Sequence, residues 1–308
     1  MRIFFTLAFI ITSTVLPAQD RLIRLTYDND FFSATDRYYT QGVRLEYIAP
    51  VFQKSPVNHI LFKDRNAQLF AGIAIERDGF TPGSIRIDTI PIGNRPYAAT
   101  SFLSSFVIAV NQETHTKLTS QFDVGIIGPA SGGKEEQTAI HNAINGLPPL
   151  GWQYQVANDV VLNYMFQYEK GIVNNEYFQL AGLTQARLGT LFTDASAGAL
   201  IRVGFMNDYF SNLGITAQNG SRKFQVYGFA KATGKAVGYN ATMQGGLFNE
   251  SIYTLKPDEI NRTTAQAFYG IVIAYKRFQL EYTKAHITKE FKNGVSHGWG
   301  HCAVSFCF

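Results

Sequence analysis

Charge is scarce in this chain. Only 16% of its 308 residues are Asp, Glu, Lys or Arg, against about a quarter in ordinary soluble domains. The formal charge is a mild +4 with no basic cluster, which argues against a nucleic-acid partner. Long apolar runs are missing after the first 18 residues, and a helical multi-span membrane protein needs repeated runs of roughly 20. Cysteine occurs twice, as Cys302 and Cys307. Five apart on one strand, the two face opposite sides, so an intrastrand disulfide is sterically implausible. Neither has the neighbours for a tetrahedral metal site. An acyl hydrolase built on serine would show a nucleophile elbow or a paired Ser and His on strands, and neither is read here.

Apolar residues, by contrast, are abundant: 46% of the chain is hydrophobic and 14% aromatic. Mean hydropathy is nonetheless −0.05, so these residues are distributed rather than blocked. That much apolar surface excludes disorder. The length admits two globular domains or one large β-structure.

Residues 1–18 read as an export signal: Arg2 at the start, an apolar stretch over 3–16, and a small-residue cleavage site at Leu16-Pro17-Ala18. The remainder, 19–308, is expected to form one barrel domain. Within it, Ile23, Leu25 and Tyr27 alternate with Arg24, Thr26 and Asp28. Tyr39, Val43, Leu45 and Tyr47 stand against Thr40, Gly42, Arg44 and Glu46. Leu118, Phe122, Val124 and Ile126 oppose Lys117, Thr119, Gln121, Asp123 and Gly125. Period two over about ten residues marks strands with one apolar and one polar face.

A soluble sandwich shows the same alternation, but three features favour a transmembrane antiparallel β-barrel. Tyr and Phe recur at strand ends, as in the aromatic girdles of membrane barrels. Short polar turns (111–114, 170–175) alternate with longer loops. The chain closes on Val304, Phe306 and Phe308, all on one face. Thirteen strand-like segments can be marked, one more than an even-stranded barrel allows. One of them, between 176 and 250, is expected to be misdivided, which leaves twelve strands.

One loop differs from the rest. Residues 129–158 run from Pro129-Ala130-Ser131-Gly132-Gly133 through KEEQTAIHNAI to Gly146-Leu147-Pro148-Pro149, which reads as a short helix in an outer loop. Gln137 and His141 share one face of it, and Ala139, Ile140 and Ile144 are expected to pack it on the barrel rim. Asp28-Asn29-Asp30, Asp36-Arg37 with Thr40, and Asn94-Arg95 all fall at the same end of the barrel. Taken singly these are ordinary turn and strand-start residues. Together, with the helix aiming His141 inward, they make a candidate site.

The order Asn29-Asp30, Thr-Asp-Arg-Tyr-Tyr-Thr-Gln-Gly (35–42), Arg-Pro-Tyr-Ala (95–98), Gly-Pro-Ala-Ser (128–131), Gln137-x-x-x-His141 and Gly-Trp-x-x-Gln (151–155) resembles the lipid A 3′-O-deacylase family. The resemblance implies a twelve-stranded outer-membrane enzyme, active on the outer-leaflet side, that removes an ester-linked acyl chain from lipid A of lipopolysaccharide. It implies a divalent cation, usually Ca2+, and places Asn29, Asp30, Thr40, Gln137 and His141 at the family's active-site positions. Ile92 stands where the family carries a Lys, which leaves Arg95 and Arg37 as the basic contacts to substrate.

The residue types suit that chemistry. Histidine titrates nearest neutral pH, so His141 is the candidate general base. Asp30 and Asn29 offer hard oxygen ligands to a cation able to polarise an ester carbonyl. Gln137 would orient the imidazole or the water, and Thr40 would hold the attacking water or, as the lesser alternative, attack itself. A monomer without nucleic acid is expected. The alternative is a catalytically inactive or porin-like barrel.

Overall fold

Period-two alternation closes on itself in the computed structural model, which describes residues 21–33, 37–143, 145–211, 213 and 222–308. The expected signal over 1–18, Asp36 and Ile144 lie outside the described residues. The strands are β1 (Leu22–Asn29), β2 (Tyr38–Ile48), β3 (Gln68–Thr81), β4 (Ala98–Asn111), β5 (Thr116–Ile127) and β6 (Asp159–Asn174). They continue as β7 (Phe178–Gly189), β8 (Phe192–Phe205), β9 (Phe224–Asn240), β10 (Thr263–Tyr275), β11 (Phe278–Ile287) and β12 (His297–Cys307). Each pairs antiparallel with the next, and β1 pairs with β12, so the described strands close into a barrel without an open sheet edge among them. Two α-helices, α1 (Gly133–Ala143) and α2 (Ala241–Gln244), sit at the end opposite the chain termini. No described helix is long and apolar enough to cross a membrane.

The two faces separate as the alternation requires. Leu25, Leu45, Ile75, Leu103, Val124 and Val304 point outward and remain about half exposed. Arg24, Arg44, Glu46, Glu76, Asp78 and Glu281 line the lumen, where Arg44 bridges Glu46 and Glu76. The two cysteines are free. Cys307 joins the inner cluster, and Cys302 shares the outward parity of Val304.

The thirteenth segment dissolves into β9. Lys231-Ala232-Thr233-Gly234-Lys235 reads as a turn, but it is the middle of one 17-residue strand. Lys231 and Lys235 face the lumen. Gly234 faces outward, with open space where a side chain would stand.

Two connections at the terminal end are long, against the expectation of short turns there. Residues 49–67 fold back onto the outer wall, where Leu61 packs on Ala71 and Val107 and the Ser120 hydroxyl donates to the Phe62 carbonyl at 2.6 Å. After β8 the chain enters the lumen instead. Phe210 is 1% exposed and packs among Leu22, Phe70, Phe106 and Leu200. Tyr209 donates to Glu169 at 2.8 Å and accepts from Lys117 at 3.1 Å. Among the described residues, Tyr209 and Phe210 thus occupy the lumen at this end of the barrel.

Candidate active site

The site begins where β1 leaves the wall. Asn29 has the outward parity of Leu25 and Tyr27. Its carboxamide oxygen accepts the Phe31 backbone N–H at 2.8 Å, the Asx contact that turns the chain into a single 3-10 turn over Asp30–Ser33. Its amide nitrogen donates to the Tyr27 hydroxyl at 3.0 Å. Asp30 is only 4% exposed, and the Thr40 hydroxyl donates to its carboxylate at 3.3 Å.

Thr40 reaches Asp30 because β2 is not regular. The ladder pairs Tyr39 with Phe80 and Gln41 with Gly79, which leaves Thr40 as the extra residue of a β-bulge. A regular strand would put Thr40 on the lumen face with Gly42 and Arg44, as the alternation alone suggests. The bulge re-aims it: its methyl lies 3.5 Å from where an outward Gly79 side chain would begin. Tyr39 swaps faces in turn and points into the lumen, its hydroxyl on Asp28 and Asp78.

The helical half of the site lies on the outer surface of the wall. Gly133 makes this approach possible, since a Cβ there would stand 2.3 Å from the Ala99 side chain and 3.1 Å from Trp152. The buried face of α1 is therefore Gly133 and Gln137, while Ala139, expected to pack, is exposed. Gln137 is 2% exposed, and its carbonyl accepts the Trp152 indole N–H at 2.7 Å. Trp152 leans on Tyr97, with ring centroids 5.0 Å apart. Burial, with the Asp88 carboxylate nearby, pushes the Tyr97 phenol above its ordinary range. Glu136 pairs with Arg77 of β3 at 3.2 Å, and Arg77 also donates to the Ser131 carbonyl at 2.6 Å.

His141 is half-buried, and its Nδ1 lies 2.6 Å from the Leu147 carbonyl. A carbonyl only accepts, so Nδ1 carries the proton and neutral His141 keeps its lone pair on Nε2. That is the tautomer a general base requires. Ser131, in the turn before α1, is 5% exposed and donates to Gly128 O at 2.6 Å. Its hydroxyl is spoken for.

The structure thus gathers Asn29, Asp30 and Thr40 into one cluster and sets Gln137 and His141 on the helix over the same outward face. Tyr27 lies within electrostatic range of both Asp30 and Glu136. The helix was expected to aim His141 inward; it instead covers the wall from outside. Arg95 is not brought to the group. It is 1% exposed on the lumen side, donating to Glu290 at 2.7 Å and Thr242 at 2.6 Å, with its guanidinium over Phe80. Arg37 precedes β2 and lies electrostatically close to His297, which lines the lumen. Ile92 is 84% exposed.

Trp152 as the partner of Gln137 was legible only as part of the Gly-Trp-x-x-Gln string, and Arg77 carried no signal at all. One string escaped the sequence reading: Gly294-Val295-Ser296-His297-Gly298 spells G-x-S-x-G. It leads into β12 rather than from strand to helix, and Ser296 is exposed, so the elbow geometry is missing.

For a divalent cation, the donor types fit. Asp30 supplies a buried carboxylate, Asn29 a carboxamide oxygen with a second lone pair, and Thr40 a hydroxyl, all hard oxygens. Among the described residues no group of three or more His, Cys, Asp or Glu converges. The remaining ligands of such a cation would have to be backbone, water or substrate oxygens.

The family model described as "Outer membrane protein LpxR" matches residues 3–308. The structure of LpxR from Salmonella typhimurium is similar, with a TM-score of 0.73 and 21% identity, over 93% of this chain and 100% of that one. The β domain of the Bordetella autotransporter Brka follows at a TM-score of 0.47 and 8% identity, covering 94% and 100%. The translocator domain of NalP from Neisseria meningitidis reaches 0.42 and 11%, covering 94% and 88%. Comparison with curated proteins gives no match.

Proposed function

Because this chain belongs to the LpxR family of outer membrane proteins, the lipid A 3′-O-deacylase family its motifs resemble, we propose that it hydrolyses an acyl ester of lipid A at the group built from Asn29, Asp30, Thr40, Gln137 and His141. The carrying observation is where that group sits. It lies at the end of the barrel away from the termini, on the outward side of the wall where α1 docks through Gly133 against Ala99. A lipid moving in the plane of the outer leaflet meets such a site without leaving the bilayer. The packing of Phe210 among Leu22, Phe70, Phe106 and Leu200 inside the terminal end of the barrel weighs against the porin-like alternative.

In this reading His141 Nε2 takes a proton from water as the water oxygen attacks the acyl carbonyl carbon. The ester C–O bond then breaks, and the proton passes from His141 to the departing sugar oxygen. A fatty acid and a free hydroxyl on lipid A result. Gln137, with its carbonyl held by Trp152, keeps its two amide hydrogens to orient water or the developing oxyanion. Thr40, anchored on Asp30, positions the water rather than attacking. A divalent cation held by Asp30 and Asn29, Ca2+ being the family's usual one, would polarise the ester carbonyl as a Lewis acid.

Mass spectrometry of lipid A from cells expressing this chain or its His141→Ala variant tests the reading. Loss of one acyl chain with the first and not the second is expected. Identical lipid A in both refutes it.

A further inference from the structure

We propose that Tyr39 is a positioning residue for the hydrolysis: by anchoring its phenol between two lumen carboxylates it holds the β2 bulge that turns Thr40 toward Asp30. The proposal rests on the reading of Thr40 as a site residue. The hydrogen bonds and ring contacts of Tyr39 fall on the lumen side. Its hydroxyl lies 3.0 Å from Asp28 and 2.9 Å from Asp78, on the strands either side of β2. Its ring packs on Phe80 and Trp299, with centroids 5.4 and 5.0 Å away. Asp28 is held in turn by His301 at 2.6 Å.

These contacts fix Tyr39 to the lumen. Gln41 carries the outward parity of Val43 and Leu45, and in a regular strand Tyr39 would share it. The conflict is resolved only by one extra residue between them, and that residue is Thr40. A strand pairing that slips by one flips every following side chain. The phenol therefore chooses between a bulged β2, with Thr40 at Asp30, and a regular one, with Thr40 in the lumen.

Gly42 supports the same conclusion independently. A Cβ at Gly42 would fall 2.0 Å from the Tyr39 hydroxyl and 2.8 Å from Asp78 Oδ1. The phenol crosses directly over this glycine, in space that any other residue would fill. Thr40-Gln41-Gly42 is thus one device: a bulge residue, a return to the outward parity, and a gap for the anchor.

The experiment compares steady-state kinetics of full-length Tyr39→Phe and Gly42→Ala on purified lipid A, with a crystal structure of Tyr39→Phe. Misplacing one group by about 1 Å costs on the order of a hundredfold, so kcat is expected to fall tenfold or more with KM unchanged. Asp78→Asn, which keeps an acceptor for the phenol, is expected to retain activity where Asp78→Ala loses it. Tyr209→Phe removes a similar phenol–carboxylate bond deeper in the lumen and is expected to leave kcat unchanged. In the crystal, Thr40 should have left Asp30. An unchanged kcat in Tyr39→Phe, or a bulge intact despite a lower kcat, overturns the proposal. Should Tyr39→Phe fail to fold, the Asp78 pair decides by the same kcat comparison. If the unmodified protein releases no acyl chain at all, the catalytic reading fails, and the crystal structure still decides whether Tyr39 sets the bulge.

Discussion

Replacing Trp152 by Phe tests how α1 holds Gln137 in place. The indole is 1% exposed and Gln137 2% exposed, so their 2.7 Å hydrogen bond is made out of reach of solvent. Phenylalanine keeps the ring against Tyr97 but removes the donor. A buried acceptor left without its partner costs about 1–3 kcal/mol. The roughly 40 Å³ of emptied volume adds about 1 kcal/mol at some 24 cal/mol per Å³. The sum, about 2–4 kcal/mol, falls on the docking of one surface helix and not on the twelve-strand ladder. As a change in the docking equilibrium it corresponds to about 30- to 900-fold. The expected outcome is a large drop in deacylation with the thermal transition of the barrel in detergent little changed, together with faster proteolytic nicking after β5. Unaltered turnover in Trp152→Phe, alongside an inactive Gln137→Ala, would show that Gln137 works without this support and would refute the reasoning.

Three further outcomes are expected. Excess chelator, or Asp30→Asn, should stop acyl release while heat-modified gel migration stays normal; full turnover in chelator removes the cation from the mechanism. Ser131→Ala should remain active, and protein denatured during turnover should carry no acyl group on Thr40 or Ser131; an ester on either converts the mechanism to covalent catalysis. Val124→Arg, on the outward face, should cost roughly 2–4 kcal/mol near the membrane midplane and impair assembly. Gln121→Arg, beside lumenal Asp123, should assemble better, and equal folding yields would contradict the assignment of faces.

Much of this barrel could be read before any coordinates, because period two is imposed by the pleat and by a wall with unlike sides. The faces of β1 and β5 follow the alternation residue for residue. β9 did not, since its Gly and Lys residues have turn-like composition. There the lumen accepts charge, and the outward side tolerates glycine where no neighbour needs filling. The bulge at Thr40 escaped for a different reason: the force that creates it acts on Tyr39 from Asp28 and Asp78, on two other strands. The same holds for α1, whose eleven residues are legible as a helix. Which side of the wall it covers depends on Ala99 and Trp152, distant in sequence from Gly133. Pairs such as Gln137 with Trp152 surface in the sequence only as spaced motifs without a stated partner.

The closing seam bears on when this protein becomes competent. Leu22 through Asn29 pair with Gly300 through Cys307, and the Arg24–Ser305 contact spans 281 positions. Bringing ends that far apart together costs about 5 kcal/mol of chain entropy beyond a fixed term, so this pairing is expected to form late. The strand it completes is the one that carries Asn29 and presents Asp30. Until the last strand arrives, β1 has a neighbour on one side only, and Asp30 hangs from an edge. A chain still open at the seam thus lacks a settled site, and hydrolytic capacity is expected to appear with closure, in the membrane that contains the substrate.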